Sequence, residues 1–241
     1  MVEPGELLGH IRLTLGKGGP LAGRVVVVTA GGTREAIDPV RYLGNRSSGK
    51  QGFALAQAAL DLGADVKLIS APTDLTGPIG AERVDITSAE EMKVAVLAAS
   101  KDTDVLLMAA AVADFRPAKP AKDKIKKGSE TLEIKLAATK DILLEVSKLK
   151  SKSGHPLVTV GFAAESQDLV KNAEKKLRAK KLDLIIANDI SAADAGFEVD
   201  SNKVTMLDAD GNKEELPLMR KDEVAEAVIE RVISLLGEKH E

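Results

Sequence analysis

The sequence predicts an α/β protein: a doubly wound, mostly parallel Rossmann-like sheet flanked by helices, with a small β-hairpin or flap extension. Three observations carry this. Short β-branched runs such as residues 24–29 (RVVVVT) lack polar alternation, as strands buried on both faces of a parallel sheet do. Between these runs lie longer segments of helical periodicity, so strand and helix alternate along the chain. The 241 residues are also 44% hydrophobic and 29% charged, which suits one sizeable core and argues against disorder.

In chain order, residues 1–21 read as a linker-like leader because of the glycines at 16, 18 and 19, and residues 22–241 read as one domain. After the run at 24–29, residues 66–70, 105–109, 157–161 and 184–187 repeat the buried-strand signature. Helical periodicity covers 48–62, 88–99, 141–149 and 168–180. Ser88 with Glu91 forms a capping-box pattern, which marks a helix start. Residues 203–207 and 214–218 flank an Asp210-Gly211 turn and read as a hairpin, before a last amphipathic helix from about 222 to 236. Residues 116–130 (RPAKPAKDKIKKGSE) are lysine-rich with two prolines, long for a structureless connection. They suit either a mobile binding flap or a solvated basic loop.

Composition removes several classes of function. A net charge of -3 and a pI near 5.8 argue against general affinity for nucleic acid or membrane, so any phosphate site must be a local basic cluster. There is no cysteine, hence no disulfide, thiolate metal site or cysteine nucleophile. No apolar run approaches the roughly 20 residues of a membrane helix, and the N-terminus is not signal-like; the expected location is the cytoplasm.

Two nucleotide motifs are approached and missed. Residues 44–50 (GNRSSGK) match a P-loop until Gln51, where Ser or Thr should hold magnesium, and they do not directly follow a strand. The turn after the first strand, Ala30-Gly31-Gly32-Thr33, lacks the dinucleotide spacing, and Ser70-Ala71-Pro72 supplies no acidic ribose ligand. A nicotinamide or flavin enzyme is therefore disfavoured. What remains is Gly31 and Gly32 after a strand and Ser47, Ser48 and Gly49 opening a helix, either a candidate anion site or ordinary loop chemistry.

Residues 29–52 (TAGGTREAIDPVRYLGNRSSGKQG), 109–115 (AAAVADF), 124–127 (KIKK), 161–165 (GFAAE) and 187–189 (AND), in this order, resemble the phosphopantothenoylcysteine synthetase family. The first segment is the specific one, and the resemblance runs from about residue 22 to the C-terminus. Residues 7–23 resemble the linker that, in bifunctional relatives, joins this synthetase to a flavin-dependent phosphopantothenoylcysteine decarboxylase.

The resemblance implies a ligase joining 4'-phosphopantothenate to L-cysteine through an acyl cytidylate made from CTP, with pyrophosphate and then CMP released. It makes Lys124 the catalytic lysine, acting on the α-phosphate, and Asn45 the group that holds the cytidylate or its oxyanion. Arg41 becomes a partner for the substrate phosphate or the intermediate, or else a structural ion pair. For the nucleotide it implies Met108, Ala109 and Ala110 through their backbone, Asp114 on ribose or cytosine, Phe162 stacked on the base, and Lys176 and Lys180 on the triphosphate. Residues Ala137, Ala138, Thr139 and Lys140 occupy the place of an Asn-Pro-containing nucleotide loop, a departure that leaves their contacts open. Mg2+ should arrive with the nucleotide, since the histidines at 10, 155 and 240 lie outside the motifs. A homodimer is implied by resemblance alone. An ATP-using ligase of the same family and a non-catalytic nucleotide-binding module are the competing readings.

Overall fold

The computed structural model describes residues 2–128, 131–165, 168–189 and 200–239. Helix α1 (Pro4–Gly16) precedes strand β1 (Val25–Ala30), a small hairpin of β2 (Arg34–Ala36) and β3 (Tyr42–Gly44), helix α2 (Lys50–Asp61) and strand β4 (Asp65–Ser70). There follow β5 (Glu82–Asp85), α3 (Ala89–Ala99), β6 (Val105–Met108), a second small pair of β7 (Phe115–Pro117) and β8 (Leu136–Ala138), and α4 (Ile142–Ser153). The last part holds β9 (Val158–Glu165), α5 (Leu169–Lys180), β10 (Leu184–Asp189), β11 (Ser201–Asn202), β12 (Val204–Asp208), β13 (Lys213–Glu215), β14 (Met219–Arg220) and α6 (Lys221–Glu238).

Eight strands form one sheet in the order β13-β12-β10-β9-β6-β1-β4-β5. The six from β10 to β5 run parallel, and β12 and β13 close one edge antiparallel. The chain leaves β1 first toward β4 and later returns to its other side through β6. The carboxyl ends of β1 and β6 therefore flank the switch point at which sheets of this class bind ligands.

Alternate side chains of β1 serve opposite faces, as strand geometry requires. Val26 and Val28 join Leu55 of α2 and Val228 of α6 in one cluster, whereas Val27 packs with Met92 and Val96 of α3 and Ile142 and Val146 of α4. Helix α5 covers the same face as α4 farther along, through Ala173 and Leu177 against Ile185 and Ala187. The layers are thus helix, sheet, helix.

The strands and helices read from periodicity are present within a few residues. Ser88 caps α3, its hydroxyl accepting from Glu91 N–H at 3.2 Å, while Glu91 accepts from Thr87 N–H at 2.7 Å. The hairpin expected near the C-terminus is β12–β13 and belongs to the main sheet. Three features differ from expectation. The 1–21 segment contains α1, which docks on α2: Arg12 Nε donates to Asp61 at 3.0 Å, and a Cβ on Gly16 would lie 2.6 Å from Leu60 O. Gly16 and Gly19 serve close packing there, whereas a Cβ on Gly18 would meet nothing within 4 Å. Strand β5, half exposed and four residues long, carries no strong pattern. The strands of the small β2–β3 and β7–β8 pairs are three residues each, too short to show a period.

Candidate active site

The carboxyl ends of β6, β9 and β10 open into a cavity of about 400 Å3, within the range of small-molecule sites. On one side lies the turn from Asn45 through Ser47, Ser48 and Gly49 into α2. Gly49 is the N-cap of α2 at φ 78°, a left-handed conformation that glycine adopts without a Cβ penalty. The first turn of α2 faces the cavity, and the positive end of its dipole suits an anion. Opposite, Thr139 and Lys140 lead into α4, whose N-cap Asp141 accepts from Leu144 N–H at 3.2 Å. Phe162 lines the cavity from the middle of β9, and Lys176 and Lys180 reach in together from α5, as their i, i+4 spacing requires.

Loops around the mouth are tied to one another. Asn45 Nδ2 donates to Val112 O at 3.0 Å, Thr139 Oγ1 donates to Ala113 O at 2.7 Å, and Ala113 N–H donates to Thr33 Oγ1 at 2.9 Å. The segment after β6 is thus fixed from both sides. At the deep end an amide chain runs Asn188 to Asn202 (3.4 Å), Asn202 to Gln51 (2.9 Å) and Gln51 to the Lys221 carbonyl (3.1 Å). The buried Asn188 Oδ1 accepts no hydrogen bond among the described residues.

Five lysines and two aspartates line the cavity of a chain whose net charge is -3, so the local basic cluster demanded by composition exists. Lys180 pairs with Asp141 at 3.0 Å and Lys50 with Asp200 at 2.6 Å. Burial pushes the Lys221 ammonium down from its ordinary pKa, the charge of Lys50 lowers it further, and Asp200 pulls it back up. A bound polyanion would relieve both of those costs.

Residues 21–236 match the family described as the DNA/pantothenate metabolism flavoprotein C-terminal domain. The chain belongs to this family. It is 48% identical over 217 residues to the coenzyme A biosynthesis bifunctional protein CoaBC of Bacillus subtilis (strain 168), covering 90% of this chain and 52% of that protein. With CoaBC of Vibrio cholerae serotype O1 the identity is 46% over 231 residues, 95% of this chain and 57% of the relative. The chain therefore spans about half the length of the curated relatives it matches. A crystal structure of the C-terminal domain of a CoaBC superposes with a TM-score of 0.77 at 38% identity, covering 92% of this chain and 100% of that one. A Cab2 mutant in complex with phosphopantothenate-cysteine superposes with a TM-score of 0.70 at 15% identity and shares the fold.

Within this family domain the structure gathers most of the residues singled out from sequence. Asn45, Ser47, Ser48, Gly49, Met108, Ala109, Ala110, Asp114, Thr139, Lys140, Phe162, Lys176 and Lys180 all line the one cavity. Others lie outside its lining. Gly31 and Gly32, read as candidate anion ligands, are buried; a Cβ there would meet Ala71 O at 2.8 Å and Asn45 O at 2.7 Å, so they let neighbouring backbone approach. Ala137 and Ala138 form β8, paired with Arg116 and Phe115. Lys124 is exposed on the loop beyond β7. Arg41 forms the ion pair its sequence reading left open, with Asp38, and also donates to Ile125 O at 2.9 Å.

Lys50, Gln51, Asn188, Asn202 and Lys221 line the cavity and were not among the sequence candidates. Lys50 ends the rejected P-loop match and Asn188 lies in the short motif at 187–189, so both had a local signal. Asn202 and Lys221 had none.

Proposed function

We propose that the chain ligates 4'-phosphopantothenate and L-cysteine, with CTP as the activating nucleotide. A carboxylate resists attack because its charge and resonance repel nucleophiles, so one oxygen must become a leaving group. In the first step that oxygen attacks the α-phosphorus of Mg2+–CTP, the bond to the β-phosphate breaks, and pyrophosphate leaves. In the second, the cysteine amine attacks the acyl carbon, CMP departs with the former carboxylate oxygen, and the amine loses a proton.

The observation that carries this reading is the lysine-rich cavity at the switch point, with Asn45 at its mouth and the first turn of α2 on its wall. Both transition states gather negative charge on oxygen, which fixed cations and N–H donors stabilise. Lys176 and Lys180 hold the triphosphate, with Lys50 and Lys221 adding charge beside α2. Phe162 stacks on the base, and Asp114 accepts from ribose or the cytosine amino group. Asn45 holds the cytidylate or its oxyanion, and the Lys124 side chain reaches from the 118–128 loop to neutralise the α-phosphate. Magnesium belongs to the nucleotide substrate and offsets phosphate charge.

Further support comes from the relatives' names, which place them in coenzyme A biosynthesis, and from phosphopantothenate-cysteine bound to the Cab2 mutant. A flavin-dependent decarboxylase, fused or separate, is the natural consumer of the product. A homodimer is supported by the exposed apolar side chains of Tyr42, Phe115, Leu132, Ile134 and Leu136 around the two small strand pairs. The reading carries a cytoplasmic location; among the described residues no helix is long and apolar enough to cross a membrane.

The test is pyrophosphate release with purified protein, Mg2+ and 4'-phosphopantothenate, comparing CTP with ATP, each with and without cysteine. Release with CTP followed by cysteine-dependent CMP is expected. Release with ATP alone would make it an ATP-using ligase, and none with either would leave a nucleotide-binding module.

A further inference from the structure

Asp38 stands apart from the cavity yet is one of the most heavily bonded side chains in the molecule. It sits in the turn between β2 and β3, with its side chain fully buried. Oδ1 accepts from Val40 N–H at 2.9 Å and Arg41 N–H at 2.8 Å, and Oδ2 accepts from Arg41 Nε at 3.0 Å and Ile125 N–H at 3.1 Å. These bonds hold its carboxyl well below the usual carboxylate range, the Arg41 side chain contributing most.

The Asp38–Arg41 pair makes two contacts that span more than eighty residues. The N–H of Ile125 is taken by Asp38, and its C=O is taken by the Arg41 guanidinium at 2.9 Å. The ion pair therefore grips both polar groups of one residue in an otherwise irregular loop. A third tie, Ala121 N–H to Ile37 O at 2.9 Å, fixes the same loop to the same turn. Ile125 directly follows Lys124, and Asn45 directly follows β3 of the same hairpin. One small hairpin thus carries Asn45 at its end and holds the residue beside Lys124 at its turn.

We propose that Asp38 is a positioning residue: through Arg41 and the backbone of Ile125 it fixes where Lys124 starts from relative to Asn45 and the cavity. This rests on the role given above to Lys124. The carboxylate touches no substrate. A lysine on an unanchored lysine-rich loop samples many positions, and misplacement by about 1 Å of a group that stabilises a transition state costs on the order of a hundredfold in rate. The clamp removes that freedom from the backbone and leaves the side chain to reach.

The experiment compares Asp38→Asn, Lys124→Gln, the double variant and wild type. It reads kcat and KM for CTP in pyrophosphate release, and amide exchange at Ile125 by NMR. Asparagine keeps the shape but replaces one acceptor oxygen with a donor. Asp38→Asn should lower kcat at least tenfold with a smaller change in KM, speed Ile125 exchange, and cause no further loss in the Lys124→Gln background. Ile125→Pro removes the gripped N–H from the loop side without altering the hairpin. It should reproduce the kcat loss and covers the case in which Asp38→Asn misfolds. Unchanged Ile125 exchange in Asp38→Asn, or equal fold losses with and without Lys124, would overturn the positioning role. A Lys124→Gln protein with wild-type rate would instead overturn the role of Lys124 itself, and the positioning role with it.

Discussion

Replacing Gly52 with alanine sets two effects of opposite sign against each other. Gly52 lies in the first turn of α2, so alanine should gain up to about 1 kcal/mol from helix propensity. Its new Cβ, however, would lie 2.6 Å from Ala30 Cβ, 2.8 Å from Thr29 O and 3.0 Å from Ala30 Cα. Carbon atoms pack at about 3.5–4.0 Å, so α2 must retreat by roughly 1 Å. The strand cannot yield, because β1 is hydrogen-bonded to β4 on one side and β6 on the other. Overpacking of this kind costs about 3 kcal/mol at the upper end of its usual range. The net loss is about 2 kcal/mol, which for a chain of this size lowers Tm by about 4–8 °C. Thermal unfolding of Gly52→Ala beside Gly237→Ala isolates the packing effect, since a Cβ on Gly237 meets nothing within 4 Å. Gly237→Ala should match or exceed the wild-type Tm. A Gly52→Ala protein as stable as wild type would refute the reasoning that α2 is pinned to β1 there.

Lys124→Gln should slow pyrophosphate release by about a hundredfold, as loss of a transition-state cation does; single-turnover release checks it. Asn45→Asp should accumulate the acyl cytidylate, visible as CTP-dependent pyrophosphate without matching CMP after cysteine is added. Phe162→Ala should raise KM for CTP by about tenfold, because base stacking is worth about 1–2 kcal/mol, and a CTP titration reads it. Burial raises the Asp208 carboxyl, but Asn212 and Arg231 together outweigh it and leave its pKa below the ordinary value. Its stabilising effect is therefore complete above the unfolded pKa and lost as pH falls through the folded one. Asp208→Asn should cost about 2 kcal/mol at pH 7 by weakening its bond from Arg231 (2.7 Å in the native protein), and flatten the acid limb of a Tm–pH curve.

Local pattern in the sequence determined the architecture. The apolar-rich, β-branched runs at β1, β4, β6, β9 and β10 could be read as buried parallel strands because burial on both faces leaves few polar positions and no regular alternation. The helices were legible because one buried stripe repeats every 3.6 residues. The turn from Asn45 to Gly49 and the cavity residues of β6, β9 and α5 were also legible, as motif or as i, i+4 spacing. Where apolar pattern is weak, as in β5 and the two small strand pairs, the sequence was silent, and α1 within residues 1–21 carried no helix signal strong enough to read.

Contacts between distant segments were decided only by the tertiary structure. Asn202 and Lys221 reach the α2 end of the cavity because β12 pairs with β10 and α6 packs on α2, neither of which leaves a mark near those residues. Arg41 has Asp38 three residues away, so its ion pair was within reach of the sequence. Their shared grip on Ile125 was not, since a backbone hydrogen bond has no side-chain signature and can be seen only when the loop is laid against the hairpin.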